Sequence, residues 1–299
     1  MKTAAEYVAS IQEELHADTH EKFHGLDTNV LYGFLKDCKT PEEMVYKMLL
    51  TYPVNSTPYQ AFRYIIEEVW LKEKYPTEYV AAFKRWSPYP APKQNALLSE
   101  TYIRDEMVVN SQFVPRWLAE FNPYYVQWVV GGIIHTGDGK QVFLRCKADG
   151  PCKDKITLIQ GHASFQPSTN VGVNFMMNDD SEIYYTEDVD TREFEFYLCD
   201  EFRREAKEEA NVSELYGYHG EIHSLLIPPE LALLDHIDYF HIGVIFNMTT
   251  DQHSLNLYAG EPDKSDLVIV EDNYQIRKEF FSEHRDETDR WVLKAIRKF

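Results

Sequence analysis

The chain has 299 residues, is 44% hydrophobic and carries a formal net charge of −19 at pH 7. That apolar share supports a packed core and excludes wholesale disorder, and the length suits two ordinary domains or one large one. The acidic balance excludes a protein that grips a long polyanion with its own surface charge, so no extended nucleic-acid surface is expected. A small polyanionic substrate stays open if cations mediate the contact.

The four cysteines, Cys38, Cys146, Cys152 and Cys199, lack paired CxxC spacing. This argues against a disulfide scaffold or a zinc site and for a reducing, cytoplasmic setting. The first residues, "MKTAAEYVASIQEEL", mix glutamates into their apolar periodicity and do not read as a signal peptide. No run approaches ~18 consecutive apolar residues, so no membrane span is expected.

The first third reads as helices. In "TPEEMVYKMLL", Thr40 suits the N-cap, Pro41 the first turn and Glu43 the capping box. Thr57–Pro58 repeats that start signal, and Phe62, Ile65, Ile66, Val69 and Trp70 recur at helical spacing. "TEYVAAFKRW" continues the helical texture, "SPYPAP" (87–92) breaks it, and "QNALLSETYIRDEMVV" resumes it toward Asn122–Pro123. His16, His20 and His24 stand at i, i+4 and i+8, where three imidazoles on one helical face can hold a transition metal. Asp18 and Gly25 interrupt that face, and a mixed polar surface is the simpler reading.

After about residue 124 the texture changes. "YYVQWVVGGIIHTGDGKQVFLRC" is rich in aromatic and β-branched residues, with "TGDGK" (136–140) as a hairpin turn between two strands. "KITLIQGH" reads as a strand ending near Gly161, and "SEIYYTEDVDTREFEFYL" as further strand. "FRREAKEEANV" is helical, with Phe202, Ala206 and Ala210 on one face. "EIHSLLIPP", "FHIGVIFNMTT" and "DLVIVE" read as strands, and 274–299 as helix. Tyr124, Tyr125 and Trp128 read first as core and second as platforms for a nucleobase. His219 and His223 share a strand face, but two histidines do not make a site. "VGGIIHTGDG" does not open a helix as a dinucleotide-binding turn does, and no G-x-S-x-G elbow occurs.

The helix at 202–212 raises a physical question. Glu201, Glu205, Glu208 and Glu209 fall on neighbouring turns, where like charges repel. Such a cluster is either a solvated acidic face or a site for a hard divalent cation. "REAKEEANV" resembles the second half of the Nudix box, G-x5-E-x7-R-E-U-x-E-E-x-G-U with U apolar. Arg204 and Glu205 match R-E, Ala206 matches U, Glu208 and Glu209 match E-E, and Val212 matches the final U. Gly161 in "IQGH" matches the box glycine. From residue 161 to residue 204 is 43 positions where the pattern has 14, so an insertion of about 29 residues splits the box. Phe196 stands where the pattern has its first glutamate; Glu195, Glu201 or a residue of the insertion is left to take that place. Asn211 replaces the last box glycine, at a helix end where Asn tolerates the left-handed conformation best after Gly.

The resemblance implies an α/β fold: a Nudix-type α/β/α sandwich with a mixed sheet over 123–299, with the insertion at about 163–197. An all-α N-terminal domain over 1–122 would precede it. The resemblance further implies Mg²⁺ or Mn²⁺ held by Glu205, Glu208 and Glu209, one of them also the base that activates water. Arg204 completes the catalytic set by holding a carboxylate in place. His162 is expected at substrate or metal, or else as a hydrogen-bonded structural histidine; Glu261 is expected as a late-loop acid or a solvated turn residue, and Glu271 has a weaker claim of the same kind. The implied activity is pyrophosphohydrolysis of a nucleoside diphosphate linked to another moiety, with a nucleotide-type small molecule as substrate. A catalytically weak, nucleotide-binding or regulatory protein on the same fold is the alternative. Nudix domains often dimerise, so a homodimer is in keeping with the resemblance.

Overall fold

The structure, a computed structural model, describes residues 2–16, 23, 25–39, 41–84, 111–122, 124–147, 152–164, 175–177, 183–185, 191–217, 220–224, 241–263 and 265–298. The N-terminal part is helical: α1 (Ala4–His16), α2 (Thr28–Leu35), α3 (Pro41–Thr51) and α4 (Thr57–Ile66), the last continuing through a π-helical turn at Glu67–Leu71 to Lys74. Tyr7, Ile11, Leu31, Leu35, Met48, Phe62 and Ile66 pack into one apolar core. Asp27 caps α2 by accepting the N–H groups of Asn29 and Val30, a role open to short acceptor side chains. The N-cap of α4 is Ser56, one residue before the expected Thr57, and Pro58 sits in the first turn, where a missing N–H costs nothing. Glu43 accepts the Lys39 N–H at 2.7 Å; Thr40 lies outside the described residues. His16 closes α1, while His20 and His24 lie outside the described residues, as do "SPYPAP" and the whole of the helical stretch expected after it.

The helical reading of 1–122 needs correction. "TEYVAAFKRW" forms β1 (Tyr79–Lys84), and β2 (Ser111–Pro115) pairs with it antiparallel. The reason lies in burial: Val80 and Ala82 enter one apolar cluster and Ala81 another, so the segment is covered on both faces. Pairing with neighbours then overrides the helical preference of its alanines. A short helix, α5 (Arg116–Ala119), links β2 to the next strand. Arg63 of α4 donates to the carbonyls of Glu120 at 2.5 Å and Leu118 at 3.0 Å, tying the helical part to this link.

β3 (Tyr125–His135) is the hub of the sheet. β4 (Lys140–Cys146) follows through the expected turn, with Gly139 at φ +73°. Then come β5 (Ile156–Thr157), β6 (Ile159–His162), β7 (Phe175–Met177) and β8 (Ile183–Tyr185). β9 (Gly220–Ser224), β10 (His241–Thr249) and β11 (Ser265–Glu271) complete the eleven strands among the described residues. β10 runs parallel to β3 along 127–135. Along its other edge β3 meets β1, β6 and β4 in turn, all antiparallel. One parallel pair in an otherwise antiparallel sheet makes it mixed.

Helices cover both faces. α6 (Thr191–Ala210) lies on one, its Phe194, Leu198, Phe202 and Ala206 packed against Trp128, Val130, Ile159 and Phe246. α7 (Tyr274–Glu283) and α8 (Arg290–Lys298) lie on the other, with Phe281, Trp291 and Val292 against Val129, Phe143 and Ile245. "TREFEFYL", expected as strand, is the first two turns of α6; Phe194, Tyr197 and Leu198 recur at helical spacing and point at the sheet. Trp128 is fully buried and donates its indole N–H to Ser111 Oγ at 2.7 Å, and Tyr125 is also core, so neither offers a stacking platform. Among the described residues no helix is long and apolar enough to cross a membrane.

Candidate functional site

The site begins with two glycines. α6 comes close to the sheet where Gly132 and Gly161 leave room. A Cβ at residue 132 would lie 2.4 Å from the Phe202 ring, and one at residue 161 only 2.1 Å from Glu205 Cδ. Gly161 therefore provides the cradle in which the Glu205 carboxylate rests. β6 holds that glycine in register opposite Val130.

Around this cradle one cation gathers three carboxylates. Arg204 Nη2 lies 2.5 Å from Glu205 and 2.9 Å from Glu201, and Nη1 lies 2.7 Å from Glu208. The helix makes this possible, because positions i−3, i+1 and i+4 all lie within reach of one long, branched cation. Glu201 is almost wholly buried, with 1% of its surface exposed, whereas the Glu208 side chain is 56% exposed. The network thus runs from the core to solvent along one edge of α6. Glu201 Oε2 also accepts the Ser164 N–H at 3.0 Å and its hydroxyl at 3.2 Å. Ser164 Oγ in turn accepts from Arg204 at 3.1 Å, and Tyr197 donates its hydroxyl to the Ser164 carbonyl at 2.9 Å.

Electrostatics follow from this layering. Burial pushes the Glu205 carboxyl up to about 7; Arg204 pulls it down, and the negative neighbours Glu208 and Glu209 push it further up. Burial works against the charge of Arg204, but the hydrogen bond to Glu201 and the charges of Glu205, Glu201 and Glu208 outweigh it and raise its pKa.

The C-terminal end of α6 is fixed in two ways. Asn211 adopts φ +54°, with its N–H on the Lys207 carbonyl at 3.1 Å, a left-handed cap. The Gly260 N–H binds the Glu209 carbonyl at 3.0 Å, and a Cβ at 260 would lie 1.5 Å from the Glu208 carbonyl oxygen. The loop carrying Glu261 is thereby pinned to the turn carrying Glu208 and Glu209, with Glu261 exposed. Glu271, by contrast, pairs with Lys140 at 3.4 Å on the β4–β11 ladder.

His162 goes elsewhere. Alternation along β6 turns it to the face opposite Gly161, where its Nε2 lies 3.1 Å from His241 Nε2. One ring must donate and the other accept. Burial, with the positive charge of Arg116 and His241 adding to it, holds His162 well below the usual histidine range. The structure does not bring His162 to the Glu205 carboxylate. His219 lies outside the described residues, and of His223 only the backbone, in β9, is described.

In kind, the donors suit Mg²⁺ or Mn²⁺: Glu205, Glu208 and Glu209 offer hard carboxylate oxygens, and the Gly161 cradle keeps a side chain from filling the space beside one of them. Among the described residues no three His, Cys, Asp or Glu side chains already converge as a metal-binding group; Arg204 is the cation that bridges Glu205 and Glu208. Sequence reasoning missed two participants. Ser164 has only its place shortly after Gly161 to mark it, and Gly260 only its place before Glu261.

No protein-family model matches the chain, and no curated protein matches it. Among solved structures, the chain is similar to Tm1382, described as a candidate Nudix hydrolase, at 13% identity and a TM-score of 0.39 over 69% of this chain and 91% of that one. It is also similar to a bifunctional NMN adenylyltransferase/ADP ribose pyrophosphatase from Francisella tularensis, at 13% identity and a TM-score of 0.30 over 51% of this chain and 36% of that one.

Proposed function

We propose that this chain is a Mg²⁺- or Mn²⁺-dependent pyrophosphohydrolase acting on a nucleoside diphosphate linked to another moiety, with its site on α6 and β6 in a Nudix-like unit at 123–299. The observation that carries this reading is the Glu205 carboxylate seated on Gly161 and held by the same arginine that holds Glu208. Glu205, Glu208 and Glu209 would hold the cation. When bound, such a cation neutralises the diphosphate and favours the hydroxide form of an attacking water. Arg204 fixes the directions of two carboxylates, which matters because attack on phosphorus needs a positioned water. One glutamate accepts the proton of that water, its oxygen joins one phosphorus, and the bridging oxygen leaves with the other half. The products are two phosphorylated halves. Glu261 would serve as the late-loop acid; the pinning of its loop to the turn of Glu208 and Glu209 supports that role.

One observation favours a second reading, a nucleotide-binding or regulatory protein that keeps the fold without the chemistry. Arg204 already satisfies Glu205 and Glu208, so a cation must compete with it. One experiment separates the two. ADP-ribose, dinucleoside polyphosphates, NAD, capped RNA and oxidised nucleotides are incubated with the protein in Mg²⁺, Mn²⁺ or chelator, and phosphorylated products are resolved by chromatography. Metal-dependent cleavage supports the hydrolase; binding without cleavage supports the second reading. For the hydrolase, Glu208→Gln and Glu209→Gln should each lower turnover at least ~10²-fold with the fold intact, and full activity of either at saturating metal refutes the assignment.

A further inference from the structure

Position 196, where the split box has lost its first glutamate, carries a phenylalanine that is 62% exposed. Nothing at that position can steer Arg204. The steering comes from five residues further on. Glu201 is buried, bonds to Arg204 through Nη2 at 2.9 Å, and accepts both the backbone and hydroxyl hydrogens of Ser164. A buried carboxylate with this many donors cannot relax without leaving polar groups unpaired, which makes it a rigid anchor.

We propose that Glu201 is the positioning residue of the carboxylate site, acting through Arg204 and together with Ser164. The proposal rests on the metal-site reading above. Nη2 of Arg204 is shared between Glu201 at 2.9 Å and Glu205 at 2.5 Å, both buried, while Nη1 takes the exposed Glu208 at 2.7 Å. Glu201 and Ser164 draw on the same Nη2 that holds Glu205, which weakens the hold a cation must displace there. With that pull removed, Arg204 competes better for Glu205 and Glu208. Ser164 adds a second hold on the guanidinium through its hydroxyl and ties the chain leaving β6 to α6. Groups that orient ligands from behind in this way typically change metal affinity or activity by ~10–100-fold when altered.

The test uses the full chain. Mn²⁺ binding is titrated by the loss of the free-ion electron paramagnetic resonance signal, alongside thermal unfolding, for wild type, Glu201→Gln, Ser164→Ala and Tyr197→Phe. Glu201→Gln keeps the shape and an acceptor for Ser164 but removes the charge; it should weaken Mn²⁺ about 10- to 100-fold. Ser164→Ala should weaken it less, roughly 3- to 10-fold, because one of two holds on Arg204 remains. Tyr197→Phe removes a hydrogen bond to the same segment without touching Arg204, and should leave Mn²⁺ affinity unchanged whatever it does to the melting temperature. If wild type binds Mn²⁺ and a folded Glu201→Gln binds it within about twofold, the positioning role is wrong and the metal site stands. The role is also overturned if Tyr197→Phe weakens binding as much as Glu201→Gln, because general loosening then explains both. Should Glu201→Gln fail to fold, Ser164→Ala decides: weakened binding supports the role and unchanged binding overturns it. If wild type takes up no Mn²⁺, the metal-site reading fails and this role falls with it.

Discussion

Substituting Gly161 by alanine probes the site at its tightest point. The new Cβ would stand 2.1 Å from Glu205 Cδ and 2.2 and 2.3 Å from its oxygens, whereas ordinary contacts are 3.4–4 Å. The carboxylate must therefore retreat by more than about 1 Å. It is the end of a flexible side chain, so the backbone can stay where it is. Yet the retreat breaks a 2.5 Å bond to Arg204 in a side chain that is only 10% exposed. Losing one charge-assisted hydrogen bond there costs about 1.5–3 kcal/mol, which leaves the chain folded but less stable. For activity, a displacement of this size in a positioned group is worth ~10²-fold. The assay is kcat/KM on whichever diphosphate the panel identifies, with denaturant unfolding in parallel. A Gly161→Ala protein with wild-type stability and wild-type kcat/KM would refute the idea that Glu205 acts from its seat on β6.

Gly260→Ala should do the reverse, harming the fold more than Gly161→Ala does. Its Cβ would meet the backbone oxygen of Glu208 at 1.5 Å, and a helix carbonyl cannot step aside, so a loss of about 1–3 kcal/mol or more is expected in urea unfolding. At Asn211, with φ +54°, glycine should be tolerated within a few tenths of a kcal/mol, while valine should cost about 1–2 kcal/mol, read from the same unfolding curves. His162 predicts a pH effect. Its folded pKa lies well below ~6.5, so as pH falls below ~6.5 the unfolded chain takes up a proton that the native state refuses. Its contribution is present above ~6.5 and declines with falling pH by at most ~1.4 kcal/mol per unit. Glu205, raised to about 7, works in the opposite sense; the measurement is therefore the difference between wild type and His162→Gln at pH 7.5 and 5.5, and parallel curves would refute the effect.

What could be read from the sequence was what is local along the chain. Arg204 meets Glu205 and Glu208 at i+1 and i+4 on a single helix, a spacing that the residues alone display. The left-handed end at Asn211 was legible for the same reason. The turn at 136–140 needed only Gly139 and its neighbours. Misreadings arose where pairing partners lie far away. "YVAAF" has helix-favouring alanines, and only β2 and β3 on either side make it a strand. "REFEFYL" alternates aromatic and polar residues as a strand would, but the alternation stops at Tyr197–Leu198, where the helical period takes over. Ser164 meets Glu201 across 37 positions and His162 meets His241 across 79, and no local spacing encodes either contact.

The charge balance of α6 gives the opening repulsion a physical answer and leaves a remainder. Arg204 contributes one positive charge to a cluster of Glu201, Glu205 and Glu208, with Glu209 on the next position. Arg203, the adjacent cation, turns outward to Asp200 at 2.7 Å and does not share the load. One guanidinium thus serves three carboxylates, and the cluster holds more acidic groups than cationic ones. Burial raises Glu205 despite the arginine beside it, and the charges of Glu208 and Glu209 add to that rise. A divalent cation at Glu205, Glu208 and Glu209 would offset that acidic excess, in competition with Arg204. On the reading proposed above, Glu201 would orient the guanidinium from the buried end of this network and Glu208 would meet the cation at its solvent end.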